Sequence, residues 1–198
     1  MKRVDVYFSL GSNLGDREAN ILEAVRRMDE AFGCRHAALS SLIETEPMGF
    51  SGGPFLNAAV LYRLLTEERG CECEALNWST EGEAPERECE GEAFTRLGRR
   101  SRKRAPHSLS GAYGVLEVVK TIERAMGRTD QPEYDADGKR VYHSRIIDID
   151  ILFYGKETID TPDLTIPHKG IATRPFVTIP LNEIARPSLK KAFPEYFE

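Results

Sequence analysis

No run of about 18 apolar residues occurs anywhere in the 198-residue chain, which leaves no candidate for a membrane-spanning helix. The opening "MKRVDVYFSLGSN" carries only a strand-length apolar stretch where a secretory signal has a longer one, so a cytoplasmic protein is expected. A basic excess is missing too. The 27 Lys and Arg are outnumbered by 32 Asp and Glu, and the net charge of -5 argues against gripping nucleic-acid backbones through bulk positive charge. Cysteine is sparse: Cys34 stands alone, and Cys71, Cys73 and Cys89 cluster in a polar segment, with no paired framework of the secreted type. C-x-C followed by one further Cys is too little to assign zinc, and free thiols in a variable loop are the plainer reading. Also absent are the P-loop sequence G-x-x-x-x-G-K-[ST] and the G-x-G-x-x-G loops of kinases and dinucleotide folds, so a bound nucleotide must be held by other means.

What the chain does contain, 40% hydrophobic and 30% charged residues, fits one domain around a single core. "VDVYFSL" (4–10) alternates as a strand does, and the turn formers of "GSNLGD" follow it. A helix capped by Asp16 is expected next, with Ile21, Leu22, Val25, Met28 and Phe32 along one face. "ALSSLIET" (38–45) and "PFLNAAVLYRLL" (54–65) read as two strands able to pair as a hairpin. The alternation of the second places Phe55 and Asn57 on one face, with Ala59 and Leu61. An aromatic beside an amide can bind a flat ring.

Over residues 66–113 the pattern collapses into a Glu-rich stretch and the basic "RLGRRSRKR". Opposite charge blocks with Gly, Ser and Pro bury too little apolar area to offset their ordering entropy, so a charged, flexible insertion is expected. Val115, Val118, Val119, Ile122 and Met126 then make a second helical stripe, and a polar loop leads to the strand "SRIIDIDILFYG" (144–155). Strand, helix, strand, strand, helix, strand is the ferredoxin-like βαββαβ order: an α+β fold with an antiparallel sheet and helices on one face, extended by a C-terminal strand and helix segment.

In that last strand Ile147, Ile149, Ile151 and Phe153 share the face expected beneath the helices, and Asp148 and Asp150 share the other. Two carboxylates two residues apart on a strand lie roughly 7 Å apart at Cα and can converge on a hard cation, Mg²⁺ with substrate phosphates being the natural choice. The plainer account is the polar outer face of an open sheet. Arg128, Arg145, Lys139, Arg140 and His143 add positive charge nearby, and acids for a metal beside bases for anions suggest a polyphosphate. Catalysis would then rest on positioning and charge neutralisation, without a covalent intermediate.

With "SLGSNLGDR", "ETEPMG", "FLNAAV", "IERAMGR", "SRIIDIDILFYG", "LTIPH" and "RPFVTIPLNEI" in this order, the sequence resembles the 6-hydroxymethyl-7,8-dihydropterin pyrophosphokinases of folate biosynthesis over residues 4–65 and about 115–185. The resemblance implies transfer of the β,γ-pyrophosphoryl unit of ATP to the pterin hydroxymethyl oxygen, giving the pterin diphosphate and AMP. It implies Asp148 and Asp150 as ligands of two Mg²⁺ ions, and Arg128 and Arg145 on a mobile loop that closes over the phosphates. It places Glu123, Arg140, His168 and Arg174 with ATP, and stacks the pterin between Phe55 and Phe176, its edge read by Thr45, Asn57 and the backbone near Met48. ATP and the pterin are the expected partners, with no nucleic acid and no membrane, in a monomer, a weak dimer being the alternative. Plainer rivals stand beside these: Phe55 and Phe176 as core aromatics, His168 as a turn residue beside Pro167, Arg128 as a helix cap. A ferredoxin-like binding module and a pterin binder without turnover are the competing functions. The aromatic strand motif of RNA-recognition domains is missing, and retention of both aspartates and both arginines counts against the second.

Overall fold

The central strand is β1 (Lys2–Ser12), and its alternation decides what lies on each side of the sheet. Val6, Phe8 and Leu10 join one buried cluster, while Tyr7 joins another on the opposite face. β1 pairs antiparallel with β4 (Phe55–Thr66) along its whole length and with β7 (Asp148–Tyr154) on its other side. Two short strands, β2 (Ala38–Leu39) and β3 (Ile43–Thr45), complete the far edge against β4.

This computed structural model describes residues 2–46, 52–66, 111–128, 133–134, 140–141 and 144–197. They all belong to one unit, built from Met1–Glu67 and Ala105–Glu198. The expected insertion falls outside them except at its ends, and Cys71, Cys73, Cys89, Met48, Lys139 and His143 fall outside as well.

Helices α1 (Arg17–Phe32) and α2 (Gly111–Ala125) cover the face that carries Phe8, Val60, Tyr62, Ile149 and Ile151. Asp16 caps α1 as expected, its carboxylate accepting from the Ala19 N–H at 3.0 Å, a contact of about 1 kcal/mol. Ile21, Ala24, Val25, Met28 and Phe32 are the buried stripe. Leu22 is not part of it and stands 48% exposed, because a residue 100° around the helix from Ile21 falls off a face this narrow.

Two further expectations need correction. The stretch 38–45 is two strands, because Ser40 breaks the ladder: its N–H donates to the Ala59 carbonyl at 2.9 Å, but the Ala59 N–H donates to the Ser40 hydroxyl at 2.8 Å, where a strand would supply a carbonyl. In β7 the register slips by one residue, Tyr7 facing Phe153 while Phe8 faces Ile151. This β-bulge at Leu152 turns Phe153 away from the helices and into the second cluster, where its ring lies 5.0 Å from that of Phe193.

That cluster is closed by the C-terminal segment. After a hairpin of β8 (Ile159–Asp160) and β9 (Thr165–Ile166), helices α3 (Pro175–Ile184) and α4 (Pro187–Ala192) lay Val177, Leu181 and Leu189 over Ala59, Leu61 and Leu152. Both faces of the sheet are therefore covered, the first by α1 and α2 and part of the second by α3 and α4. A small ribbon of β5 (Glu133–Tyr134) and β6 (Arg140–Val141) lies in the loop before β7.

Candidate active site

Strand register assembles the site. Ile43 of β3 faces Asn57 of β4, Asn57 faces Gly11 of β1, and Gly11 faces Asp148 of β7. The next row sets Ala59 beside Ser9 and Ser9 beside Asp150. At the usual strand spacing Asn57 and Asp148 stand about 10 Å apart with one glycine between them. A Cβ at Gly11 would approach the Asn57 side-chain oxygen to 3.1 Å and the Phe55 ring to 3.6 Å, so only glycine leaves this floor open.

At the β4 end of that row Asn57 is 3% exposed, and its amide donates to the Thr45 hydroxyl at 2.8 Å. Thr45 and Asn57 are thus brought into direct contact, beside the half-buried Phe55. Phe176 lies in the first turn of α3, half-buried against the cluster that α3 forms with β4, so it stands on the same side of the sheet as Asn57. The Arg174 guanidinium sits 5.9 Å from the Phe176 ring centre. Met48 lies outside the described residues, and of Arg140 only the backbone, in β6, is described.

At the β7 end Asp148 is held by two arginines. Arg128 donates to one carboxylate oxygen at 2.5 Å and Arg145 to the other at 2.7 Å. Burial pushes the Asp148 carboxyl up, but the charges of Arg145 and Arg128 outweigh it and hold the group below the usual carboxylate range. Asp150 has the opposite balance. Burial and the neighbouring Asp148 charge push it up to about 6, and among the described residues no hydrogen bond reaches its carboxylate.

Glu123 on α2 is fully enclosed. It accepts from the Ile149 N–H at 2.8 Å and from Lys120 at 3.0 Å, and it pairs with Arg128. Burial pushes its carboxyl up against the pull of Arg128 and Lys120. The acid expected near the nucleotide thus lies behind the cationic layer, fixing the start of β7 to α2.

His168 follows the cis Ile166–Pro167 bond and lines a cavity of about 230 Å³ with Asp150, Lys120, Leu116 and Leu164. Its Nδ1 accepts from the Gly170 N–H at 3.1 Å, and burial, with the positive charge of Arg174, holds the imidazole below its ordinary value. The ring is then neutral with its proton on Nε2, a donor suited to a phosphate or hydroxyl oxygen.

Comparison with known proteins settles the family. The model of the 7,8-dihydro-6-hydroxymethylpterin-pyrophosphokinase family matches residues 7–96 and 106–186. The chain belongs to this family. It is 32% identical over 182 residues to the 2-amino-4-hydroxy-6-hydroxymethyldihydropteridine pyrophosphokinase of Porphyromonas gingivalis, covering 91% of this chain and 90% of that one. It is 28% identical over 187 residues to the Bacillus subtilis protein of the same name, covering 94% and 81%. A mitochondrial folate synthesis bifunctional protein of Pisum sativum is 35% identical over 181 residues, 91% of this chain and 25% of that longer protein. The stretch that the family match leaves out, 97–105, lies within the charged segment 66–113.

In this pyrophosphokinase several supporting residues carry no signal in composition. Asn13, in the "GSNLGD" turn, donates to Ser144 at 3.2 Å and to the Gly53 carbonyl at 3.4 Å, and it accepts from the Arg145 N–H at 2.6 Å. One amide thereby ties the β4 approach to the segment that carries Arg145. Gly170 is the second. A Cβ there would come within 3.0 Å of both the His168 ring and the Arg174 side chain. Gly170→Ala should therefore displace both, and if His168 and Arg174 hold ATP as the resemblance implies, weaken ATP binding about tenfold with the pterin KM unchanged. Equal ATP affinity by calorimetry would remove Gly170 from the site.

Proposed function

We propose that the enzyme transfers the β,γ-pyrophosphoryl unit of ATP to the hydroxymethyl oxygen of 6-hydroxymethyl-7,8-dihydropterin, with the residues of one register row dividing the work. The observation that carries this assignment is the row Asn57, Gly11, Asp148, which sets a buried amide for a heterocycle edge one glycine away from a carboxylate pair. Phe55 and Phe176 would stack on the pterin, each face contributing on the order of 1 kcal/mol. Asn57, Thr45 and the backbone near Met48 would satisfy its polar edge.

The donor set fits magnesium. Among the described residues no group of three or more His, Cys, Asp or Glu side chains is placed to cage a metal, but Mg²⁺ in phosphoryl chemistry takes one or two carboxylates and completes its shell with water and phosphate. Asp150, raised to about 6 with no hydrogen bond among the described residues, is a carboxylate that a cation would stabilise. Asp148 and Asp150 would hold two Mg²⁺ ions. When bound, these supply charge neutralisation of the phosphates and acidification of the attacking hydroxyl.

Arg128 and Arg145 rest on Asp148 and would shift to the pyrophosphoryl oxygens once ATP arrives, stabilising the charge of the transferring group. His168 would donate from Nε2 to a phosphate oxygen, with Arg174 and Arg140 as further cations around ATP. Glu123 would act through Arg128 and Lys120, holding both in place from beneath.

AMP formation from ATP and Mg²⁺, with and without the pterin, tests the whole assignment. Turnover should require all three. An intact, folded protein that binds the pterin but forms no AMP would make it a binding module.

The charged segment belongs to the same proposal: the site residues all lie outside it, so deleting residues 70–110 should leave turnover within about tenfold of the full chain. A folded deletion variant without activity would assign the segment a part in the site.

A further inference from the structure

One cation beside the cavity, Lys120, is held in place by Glu123 but has been given no partner on the substrates. Lys120 lies on α2 three residues before Glu123, so both face the same side of the helix. Its ammonium donates to Glu123 Oε2 at 3.0 Å, while Glu123 Oε1 is occupied by the Ile149 N–H and Arg128. Glu123 is fully enclosed, but the Lys120 side chain keeps 35% exposure and lines the cavity with Asp150 and His168. An ammonium has three protons, and among the described residues only Glu123 takes one. The buried carboxylate therefore fixes the amine at the wall and leaves two donors for what enters.

The cations are divided in space. Arg128 and Arg145 both engage Asp148, whose register row leads to Gly11 and Asn57 and so to the acceptor side. Lys120 lines the cavity with Asp150, Leu116 and Leu164, and neither arginine is among its walls. Pyrophosphoryl transfer also divides its charge in two. The hydroxyl oxygen bonds to Pβ and releases its proton to solvent, the bond from Pβ to the α,β-bridging oxygen breaks, and that oxygen leaves on AMP with the electron pair. The arginines can serve the transferred unit, and inside the cavity Lys120 is an ammonium that lines the wall with His168 and can meet the charge of the leaving nucleotide.

We propose that Lys120 binds the α-phosphate of ATP and neutralises the charge that AMP acquires as it leaves. This deepens the reading of Asp148 and Asp150 as the phosphate-side metal ligands and rests on it.

The test measures AMP and adenosine binding by calorimetry in the intact protein, Lys120→Met and Lys120→Arg. Lys120→Met should lose at least about tenfold in AMP affinity with adenosine affinity unchanged, and kcat should fall by about tenfold or more at constant pterin KM, since a charge-assisted contact is lost. Lys120→Arg should recover most of both. If Lys120→Met does not fold, Lys120→Gln, which keeps a donor for Glu123, is read in the same way. Equal losses for AMP and adenosine would make Lys120 a packing residue, and unchanged AMP affinity would also overturn the proposal. Failure of the underlying reading looks different: the intact protein would then form no AMP from ATP and the pterin.

Discussion

Asp150→Asn should abolish turnover, by about 10³-fold or more, and at the same time raise the melting temperature of the ligand-free protein by roughly 3–6 °C. The two effects have one cause. Asp150 sits where burial and the Asp148 charge disfavour its ionised form, and among the described residues no hydrogen bond offsets this. Its carboxyl is pushed up to about 6, so at pH 7.5 the folded protein holds a charge that its surroundings oppose. Screening by solvent on its open side leaves a cost of about 1–2 kcal/mol. Asparagine has nearly the same shape and no charge, and the cost disappears.

The pH dependence fixes the sign. An acid whose folded pKa is raised destabilises the fold above that pKa, and the penalty fades as pH falls from about 6 toward the unfolded value near 4. The variant's advantage should therefore be full at pH 7.5 and gone near pH 4. Protons and Mg²⁺ compete for the same oxygens, so turnover of the intact enzyme should drop as pH falls below about 6. Calorimetric melting at both pH values, with Mg²⁺ and ATP present and absent, checks all of this: nucleotide and metal should stabilise the intact protein by several degrees and the variant hardly at all. A variant that melts with the intact protein and still turns over would remove Asp150 from the metal site.

The aspartate pair is legible in the sequence because a strand's period of two is rigid: once 147, 149 and 151 are apolar, 148 and 150 must share the other face. The same rule misplaced Phe153. A bulge adds one residue without a compositional mark, and Leu152 is as apolar as its neighbours, so nothing local announces the slip. Ser40 is a similar case, because whether its hydroxyl replaces a ladder carbonyl depends on Ala59, nineteen residues away. The second face of the sheet was harder still. α3 is short and nearly continuous in apolar residues, and its docking on Ala59 and Leu61 is a contact between distant segments.

The site divides along the same line. Residues proposed to meet ligand, such as Phe55, Asn57 and the two aspartates, are recognisable by type and alternation. Residues that hold them are not. Asn13, Gly170 and Lys120 look like a turn residue, a loop glycine and a helix-surface lysine until the fold brings them to Arg145, His168 and Glu123. Turn propensity explains why asparagine is acceptable at position 13. The contacts to Ser144 and Arg145 give it a further task, positioning the segment that carries Arg145.

Asp148→Asn should also lose most of its turnover, by about 10²–10³-fold, but its stability should move the other way, down by roughly 4–8 °C. Here the carboxylate is the shared acceptor of Arg128 and Arg145, and losing it leaves two cations without their common partner. Arg128 keeps Glu123, so the loss stays at about 2 kcal/mol, short of that for a wholly buried pair. Because the folded pKa of Asp148 is depressed, its contribution is complete above the unfolded value near 4 and is lost only as pH falls through the lower folded value. The deficit of Asp148→Asn should thus persist from pH 8 to about pH 5, whereas the gain of Asp150→Asn decays below about pH 6. The two carboxylates also repel each other, and each single substitution relieves that repulsion, whereas the double variant can relieve it only once. Asp148→Asn/Asp150→Asn should therefore melt below the sum of the single shifts, by about 0.5–1 kcal/mol in a double-mutant cycle at pH 7.5. That coupling should vanish near pH 4, where Asp150 is protonated in the folded state. Additive shifts at pH 7.5 would mean that the two acids do not sense each other, and a shared metal site would lose its electrostatic basis.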